Sequence, residues 1–328
     1  MKSFDAIIGH KKIISHFEEA IKTGKVSHAY LLSGEDGSGK MMIAKAVAKA
    51  LLCEHKDGCG ECAACKQVDS LNHPDVIYIT HEKYEIRVDD IRKGINETID
   101  IKPYSGDYKI YIIDDADRMN AGAQNALLKT LEEPPAYAVI LLLANNASAL
   151  LPTILSRCVM LSLKPVADDK VKQYLMEHVQ VPDYEADVCV AFAQGNIGKA
   201  VQLATSDSFN EIKNSALHLL KNVSKMEIND IIATVKSVSE FKIDIQDYLD
   251  FLAVWYRDIL YFKATRDSNG LIFKDELNVI TDQINKSSYE GIENILRGLQ
   301  TAKTRLNANV NFDLTMELLF LLIKENLV

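Results

Sequence analysis

Residues Gly34-Glu35-Asp36-Gly37-Ser38-Gly39-Lys40-Met41 stand between an apolar run, Ala29-Tyr30-Leu31-Leu32, and a helical pattern from Met42 to Leu52. A strand, a glycine loop and a helix in that order are what a phosphate-binding loop requires. The glycines (Gly34, Gly37 and Gly39) let backbone N–H groups converge on phosphate oxygens, the helix N-terminus adds partial positive charge, and Lys40 reaches the outer phosphates. The position after the lysine should carry a hydroxyl to ligate Mg²⁺. Met41 stands there, and a thioether is a poor ligand for a hard, oxygen-seeking ion. The chain is thus expected to carry a nucleotide site with a weakened metal grip.

A parallel α/β sheet is the fold class that such a loop belongs to, and the next stretches supply its strands. Asp75 to Ile79 reads as a strand, and Val88 to Ile99 as a helix with Val88, Ile91, Ile95 and Ile99 inward. Tyr108 to Ile113 is a buried strand that ends in Asp114 and Asp115. Beside a phosphate loop, the first acid can hold hydrated Mg²⁺ and the second can polarise water. Met119 to Glu133 reads as a helix ended by Pro134-Pro135. Ala138 to Ala144 is a third apolar strand, and Asn145-Asn146 at its end either contacts a phosphate or caps the next turn. Val159 to Leu163 is a further strand. Strands alternating with helices give a parallel sheet covered on both faces, with ligands at the carboxyl ends of the strands.

Between the first helix and the second strand lie Cys53, Cys59, Cys62 and Cys65, with Gly58 and Gly60 allowing tight turns. Four thiols so spaced can close a tetrahedral zinc site with no position open to water, which stabilises rather than catalyses. His55 and His73 are possible replacement ligands; free thiols or a redox pair are the alternative. The chain has six cysteines in 328 residues and an N-terminus without an apolar core, which points to the cytosol. No apolar run is long enough to span a membrane. A net charge of −9 argues against broad nucleic-acid binding by the chain alone.

Lys164-Pro165 marks a boundary, after which the strand signal stops. The expected division is residues 1–164 for the sheet domain (cysteine module about 53–65), 165–206 for a small helical domain and 207–328 for a helical bundle. In the last part Leu296, Leu299 and Leu306, and Leu314, Leu318, Leu321 and Leu322, form stripes expected to face its core, with Trp255 and Tyr256 as packing aromatics.

Several stretches together resemble one family. They are Ser27-His28-Ala29-Tyr30-Leu31, the glycine loop, the four cysteines, Asn72-His73-Pro74-Asp75, Asn125-Ala126-Leu127-Leu128-Lys129-Thr130-Leu131-Glu132-Glu133-Pro134-Pro135 and Ile154-Leu155-Ser156-Arg157-Cys158. The chain is similar to the AAA+ clamp-loader subunits of bacterial DNA polymerase III, with the strong motifs covering about residues 27 to 158. That resemblance implies an AAA+ domain with a zinc module, a helical lid (165–206) and a collar domain (207–328) that joins a five-membered ring with other clamp-loader subunits. Such rings use ATP to open a sliding clamp and place it on primed DNA. The resemblance also implies that Arg157 acts in trans, as a finger for a neighbour's ATP site, in a subunit not catalytic alone. A rigid guanidinium suits the charge that builds on phosphate oxygens during transfer.

Two further positions weaken an ATPase of the chain's own. Asp115 stands where active relatives have glutamate. Gly198 stands where they carry a second-sensor arginine, and Lys199 is displaced about 100° round the helix. Lys40, Asp114 and Asp115 keep nucleotide binding open. Two other readings are a self-sufficient ATPase motor on DNA and a zinc-dependent DNA-binding module. Met41 and Gly198 oppose the first. The acidic charge opposes the second.

Overall fold

The computed structural model describes residues 2–81, 85–241 and 245–327. The chain forms two compact units, Met1–Val171 with Gly195–Lys199, and Lys172–Gln194 with Ala200–Val328.

The first unit is built on five strands: β1 (Ala29–Ser33), β2 (Val76–Ile79), β3 (Lys109–Ile113), β4 (Ala138–Ala144) and β5 (Val159–Ser162). They lie in the order β2-β3-β4-β1-β5, and every pair is parallel. All of β3 and β4 is buried. This is why they read as near-continuous apolar runs, as strands covered on both faces must. Alternate residues point to opposite faces. Tyr30, Leu32, Ile110, Ile112, Leu141 and Leu143 pack with Ile13 and Phe17 of helix Lys11–Thr23 and Ile43 and Val47 of helix Lys40–Leu52. Leu31, Tyr111, Ile113, Ile140 and Leu142 pack on the other side with Leu127 and Leu131 of helix Ala121–Glu132. Lys109 is the charged exception within β3. Its ammonium reaches the carbonyls of Thr98 and Ile101 at 2.7 and 3.1 Å, so the buried charge is solvated by the chain.

The expected helix Val88 to Ile99 is an α-turn, Val88–Ile91, followed by a wider π-turn, Arg92–Asn96. Ile91, Ile95 and Ile99 are all buried. Residues four apart drift round an α-helix of 3.6 residues per turn, and a wider turn brings them into line. The same change occurs at Asp168–Tyr174 and Leu175–Val179. A short helix, Ala63–Asp69, is capped by Cys62 and contains Cys65, so the cysteine cluster closes on its first turn.

Among its described residues the second unit has helices and no strand. Its elements include Asp183–Ala193, Asp207–Asn222, Ile228–Val238, Ile245–Thr265, Leu277–Lys286, Tyr289–Asn307 and Phe312–Glu325. Phe251, fully buried, lies 4.3 Å from Phe192, 5.0 Å from Phe209 and 6.3 Å from Phe273, measured between ring centres. Trp255 donates to Gln283 Oε1 at 2.8 Å, and the same amide donates to Leu220 O at 2.6 Å, which ties three helices through one buried side chain. Tyr256 is also fully buried.

The leucine stripes are corrected in part. Leu299 is buried, but Leu314 and Leu318 are 54% and 47% exposed, and the core face of Phe312–Glu325 is Met316, Leu319, Phe320 and Ile323. Asp313, Glu317 and Lys324 share one narrow strip of that helix, and the apolar arc left over is wider than its core contact, so part of it stays exposed. Among the described residues no helix is long and apolar enough to cross a membrane. Truncating Phe251 to Ala is expected to cost about 3–5 kcal/mol, read by chemical denaturation, because it empties the centre of the aromatic cluster.

Candidate functional site

In the sheet order, β3, β4 and β1 are neighbours and run the same way, so their carboxyl ends lie side by side. Asp114 leaves β3, Asn145 leaves β4 and Gly34 leaves β1. Gly34 N–H donates to Ala144 O at 3.1 Å, which fastens the start of the loop to the end of β4. Gly37 and Gly39 have φ of 78° and 98°, the left-handed region in which a side chain is strained. Gly39 then caps helix Lys40–Leu52. The loop geometry expected of residues 34–41 is therefore present.

A cavity of about 330 Å³ opens at this point, lined by Gly37, Gly39, Lys40, Asp114 and Asp115, and also by Met41, Arg118 and Asn145. Lys40 is 6% exposed. Its ammonium donates to Gly34 O at 2.8 Å, Glu35 O at 2.9 Å and Asn145 Oδ1 at 2.7 Å. Burial lowers its pKa, and the carboxylates of Asp36, Asp115, Asp114 and Asp117 oppose that shift. Asn145 continues the chain by donating Nδ2 to Asp115 Oδ1 at 3.3 Å. Asp115 also faces His81 Nε2 at 3.0 Å and Arg118 Nε at 3.4 Å. It adopts a left-handed backbone, φ 49°. Asp114 is the less encumbered acid. Burial raises its pKa, and the neighbouring Asp115 charge adds to the rise. Asp117 turns away to accept the N–H groups of Asn145 and Asn146 at 3.1 and 3.3 Å, bracing the end of β4.

The arrangement offers an ammonium and two carboxylates to a phosphorylated ligand with its cation. It offers a thioether where a hydroxyl would complete the cation's shell. Arg157 does not line the cavity. It follows the short helix Pro152–Leu155, with its side chain 35% exposed. Nη2 lies 2.8 Å from Glu132 Oε1, and Nη1 donates to Thr153 O at 2.9 Å.

The four cysteine sulfurs lie within 4.8 Å of one another. Cys53 and Cys62 Sγ are 3.9 Å apart, close to the roughly 3.8 Å edge of a tetrahedron with metal–sulfur bonds of about 2.3 Å. Backbone N–H groups of Cys59, Cys62 and Cys65 donate to the sulfurs of Cys53, Cys59 and Cys62 at 3.4, 3.3 and 3.5 Å. Burial would raise the Cys53 thiol, yet the N–H groups of Cys59, His55 and Asp57 bring it down to about 6. Burial pushes Cys65 up, and Cys62 and Cys53 push it further. Four sulfurs this close can hold a metal ion. His73 is instead a buried structural residue that accepts the N–H of Asp75 at 3.1 Å.

The sequence did not single out His81, Arg118 or Glu132 as neighbours of these groups. His81 follows β2, and β2 pairs in parallel with β3, so it falls beside the residue that follows β3. Only the pairing of the strands makes that adjacency visible.

Comparison with known proteins accords with this geometry. Residues 9–167 match the family described as DNA polymerase III, delta subunit, and residues 212–325 match its C-terminal family. The chain is 29% identical to the Bacillus subtilis (strain 168) DNA polymerase III subunit delta' over 319 residues, 96% of each chain. It is 28% identical to the tau subunit of the same organism over 95% of this chain and 60% of that one. It is 31% identical to the Pseudomonas aeruginosa subunit delta' over 303 residues, 89% of this chain and 90% of that one. Identity sustained along both units, over the sheet, the glycine loop and the helical C-terminal region, makes this chain a member of the DNA polymerase III delta-prime family.

Proposed function

We propose that this chain is a clamp-loader subunit of the DNA polymerase III holoenzyme. In this reading it works in the cytoplasm, within a five-membered ring that loads a sliding clamp onto primed DNA, and it completes a neighbour's ATP site with Arg157. Its own site then has little or no turnover. The observation that carries this reading is the state of its own catalytic groups. Met41 lines the cavity where a metal-binding hydroxyl is needed, and Asp115, where a water-polarising acid is needed, is engaged by His81, Arg118 and Asn145. Among the described residues Arg157 meets three acceptors of its own chain, Glu132, Thr153 and, at 3.4 Å, Ser156 Oγ, and its guanidinium has five N–H donors, so N–H groups remain for a phosphate.

The division into a sheet domain (1–164), a lid (165–206) and a collar (207–328) belongs to the same proposal. For the collar, support comes from exposed aliphatic side chains on two helices that pack on each other: Ile228 and Ile232, and Leu314 and Leu318. Apolar groups left in solvent on packed helices mark surfaces that partners cover. The four thiolates are assigned a structural zinc ion, which prefers tetrahedral sulfur.

The second reading, a self-sufficient ATPase, is favoured by one observation: Lys40, Asp114 and Asp115 meet in one cavity. Turnover of Mg-ATP by the purified chain, abolished by Lys40→Ala, would put that reading first.

Arg157→Ala is expected to lower ATP turnover at the site it completes by roughly a thousandfold in the reconstituted ring. Folding should change by no more than about 1 kcal/mol, since the lost pair with Glu132 is at the surface. Unchanged turnover in the ring removes the finger assignment. Metal analysis of protein prepared without chelator should return about one zinc per chain, and Cys62→Ser should reduce it. Leu318→Asp should weaken ring assembly in sedimentation experiments while leaving the circular dichroism of the single chain unchanged.

A further inference from the structure

We propose that Asn196 and Gly198 form a clasp on the phosphate loop, fixing its peptide planes through bonds that the protein itself supplies. The segment Gly195–Lys199 belongs to the sheet unit, and Val166 N–H anchors it by donating to Gly195 O at 2.8 Å. Asn196 is 7% exposed and works in two directions. Its Oδ1 accepts the N–H of Lys199 at 3.0 Å, which caps helix Ile197–Thr205, while its Nδ2 donates to Asp36 O at 2.6 Å. Two residues on, Gly198 N–H donates to Gly37 O at 3.0 Å.

The approach is as close as backbone allows. A Cβ on Gly198 would sit 2.6 Å from both Cα and O of Gly37, and a Cβ on Gly37 would sit 2.7 Å from Asn196 Oδ1. Both positions therefore exclude side chains. The absence of an arginine at position 198 is thus a steric requirement of the clasp as well as a missing catalytic group.

The clasp completes a series. Lys40 holds the carbonyls of Gly34 and Glu35, Asn196 holds Asp36, Gly198 holds Gly37, and His10 Nε2 meets Ser38 O at 3.2 Å. Five consecutive carbonyls are thereby bonded to donors of this chain. A carbonyl acceptor requires the proton on His10 Nε2, which fixes the tautomer. The N–H groups on the reverse of two of these planes also have internal acceptors, Gly37 N on Asp36 Oδ1 at 2.9 Å and Ser38 N on Glu35 O at 3.2 Å. A loop held at every plane keeps its shape whether or not a phosphate is there to order it, so the clasp makes the site a fixed element of the subunit. This inference rests on reading residues 34–41 as a phosphate loop, and it is independent of Arg157.

Hydrogen–deuterium exchange on the full chain tests it. Asn196→Ser keeps a helix cap but is too short to reach Asp36, whereas Asn196→Ala loses both bonds. Loop amides 34–41 should exchange about tenfold faster in both variants, the effect of losing one buried hydrogen bond on a local opening equilibrium. Amides of Lys109–Ile113 should be unchanged. Loop exchange in the unmodified chain should already be slow without Mg-ATP, since the loop needs no ligand to order it. Wild-type exchange in Asn196→Ser, equal acceleration in Lys109–Ile113, or a loop that becomes slow only with Mg-ATP would each overturn the clasp. If Arg157→Ala proves inert in the ring while Asn196→Ser loosens the loop, the finger fails and the clasp stands.

Discussion

A buried ammonium needs acceptors, and Lys40 finds them in two places at once: the loop that leaves β1 and the asparagine that leaves β4. The site hangs on that bridge. Through Asn145 it reaches Asp115, and through Asp115 it reaches His81 beyond β2 and Arg118 beyond β3. Ends of four parallel strands are thereby joined in one polar network that runs from the buried Lys40 out to the exposed Arg118. The bonds that order the site are the same ones that leave Asp115 engaged.

Much of this was legible in the sequence because the relevant signals were local. The glycine loop, the acids after β3 and the cysteine cluster each lie in one short stretch, and the chemistry of each fixes what its neighbours must be. The parallel sheet was legible for a related reason. Strands such as β3 and β4 are buried on both faces, so their composition reports their position. What stayed hidden depended on strand order or on facing surfaces. His81 meets Asp115 only because β2 lies against β3. Gly198 reads as a lost arginine until its contact with Gly37 is seen. Helix Phe312–Glu325 carries an apolar arc wider than its core contact, so which part of that arc is buried depends on the facing helices.

The second unit is held differently. Among the described residues most of its ion pairs lie near the surface, as where Asp187 meets both Lys172 and Lys274. One buried amide, Gln283, and one buried carboxylate, Asp258, serve as isolated fasteners within an apolar core. Asp258 accepts the N–H groups of Ile272 and Phe273 at 2.7 and 2.9 Å and lies 3.2 Å from Arg257, so it closes a loop rather than serving a ligand. Burial raises its pKa while those two N–H groups oppose the rise.

Strand order also bears on how the chain reaches this state. After β1, in the middle of the sheet, the next strand in sequence is placed at the far edge, beyond β4 and β3. Residues 34–75 must make that crossing before β3 and β4 exist to receive it, and long-range pairings of this kind are slow because chain entropy is lost before contacts compensate for it. The four cysteines lie inside the crossing. An ion that gathers them draws in a segment of only thirteen residues, Cys53 to Cys65, and shortens the free chain between β1 and β2. The module can then act early, as a local cross-link that narrows the search for the edge of the sheet.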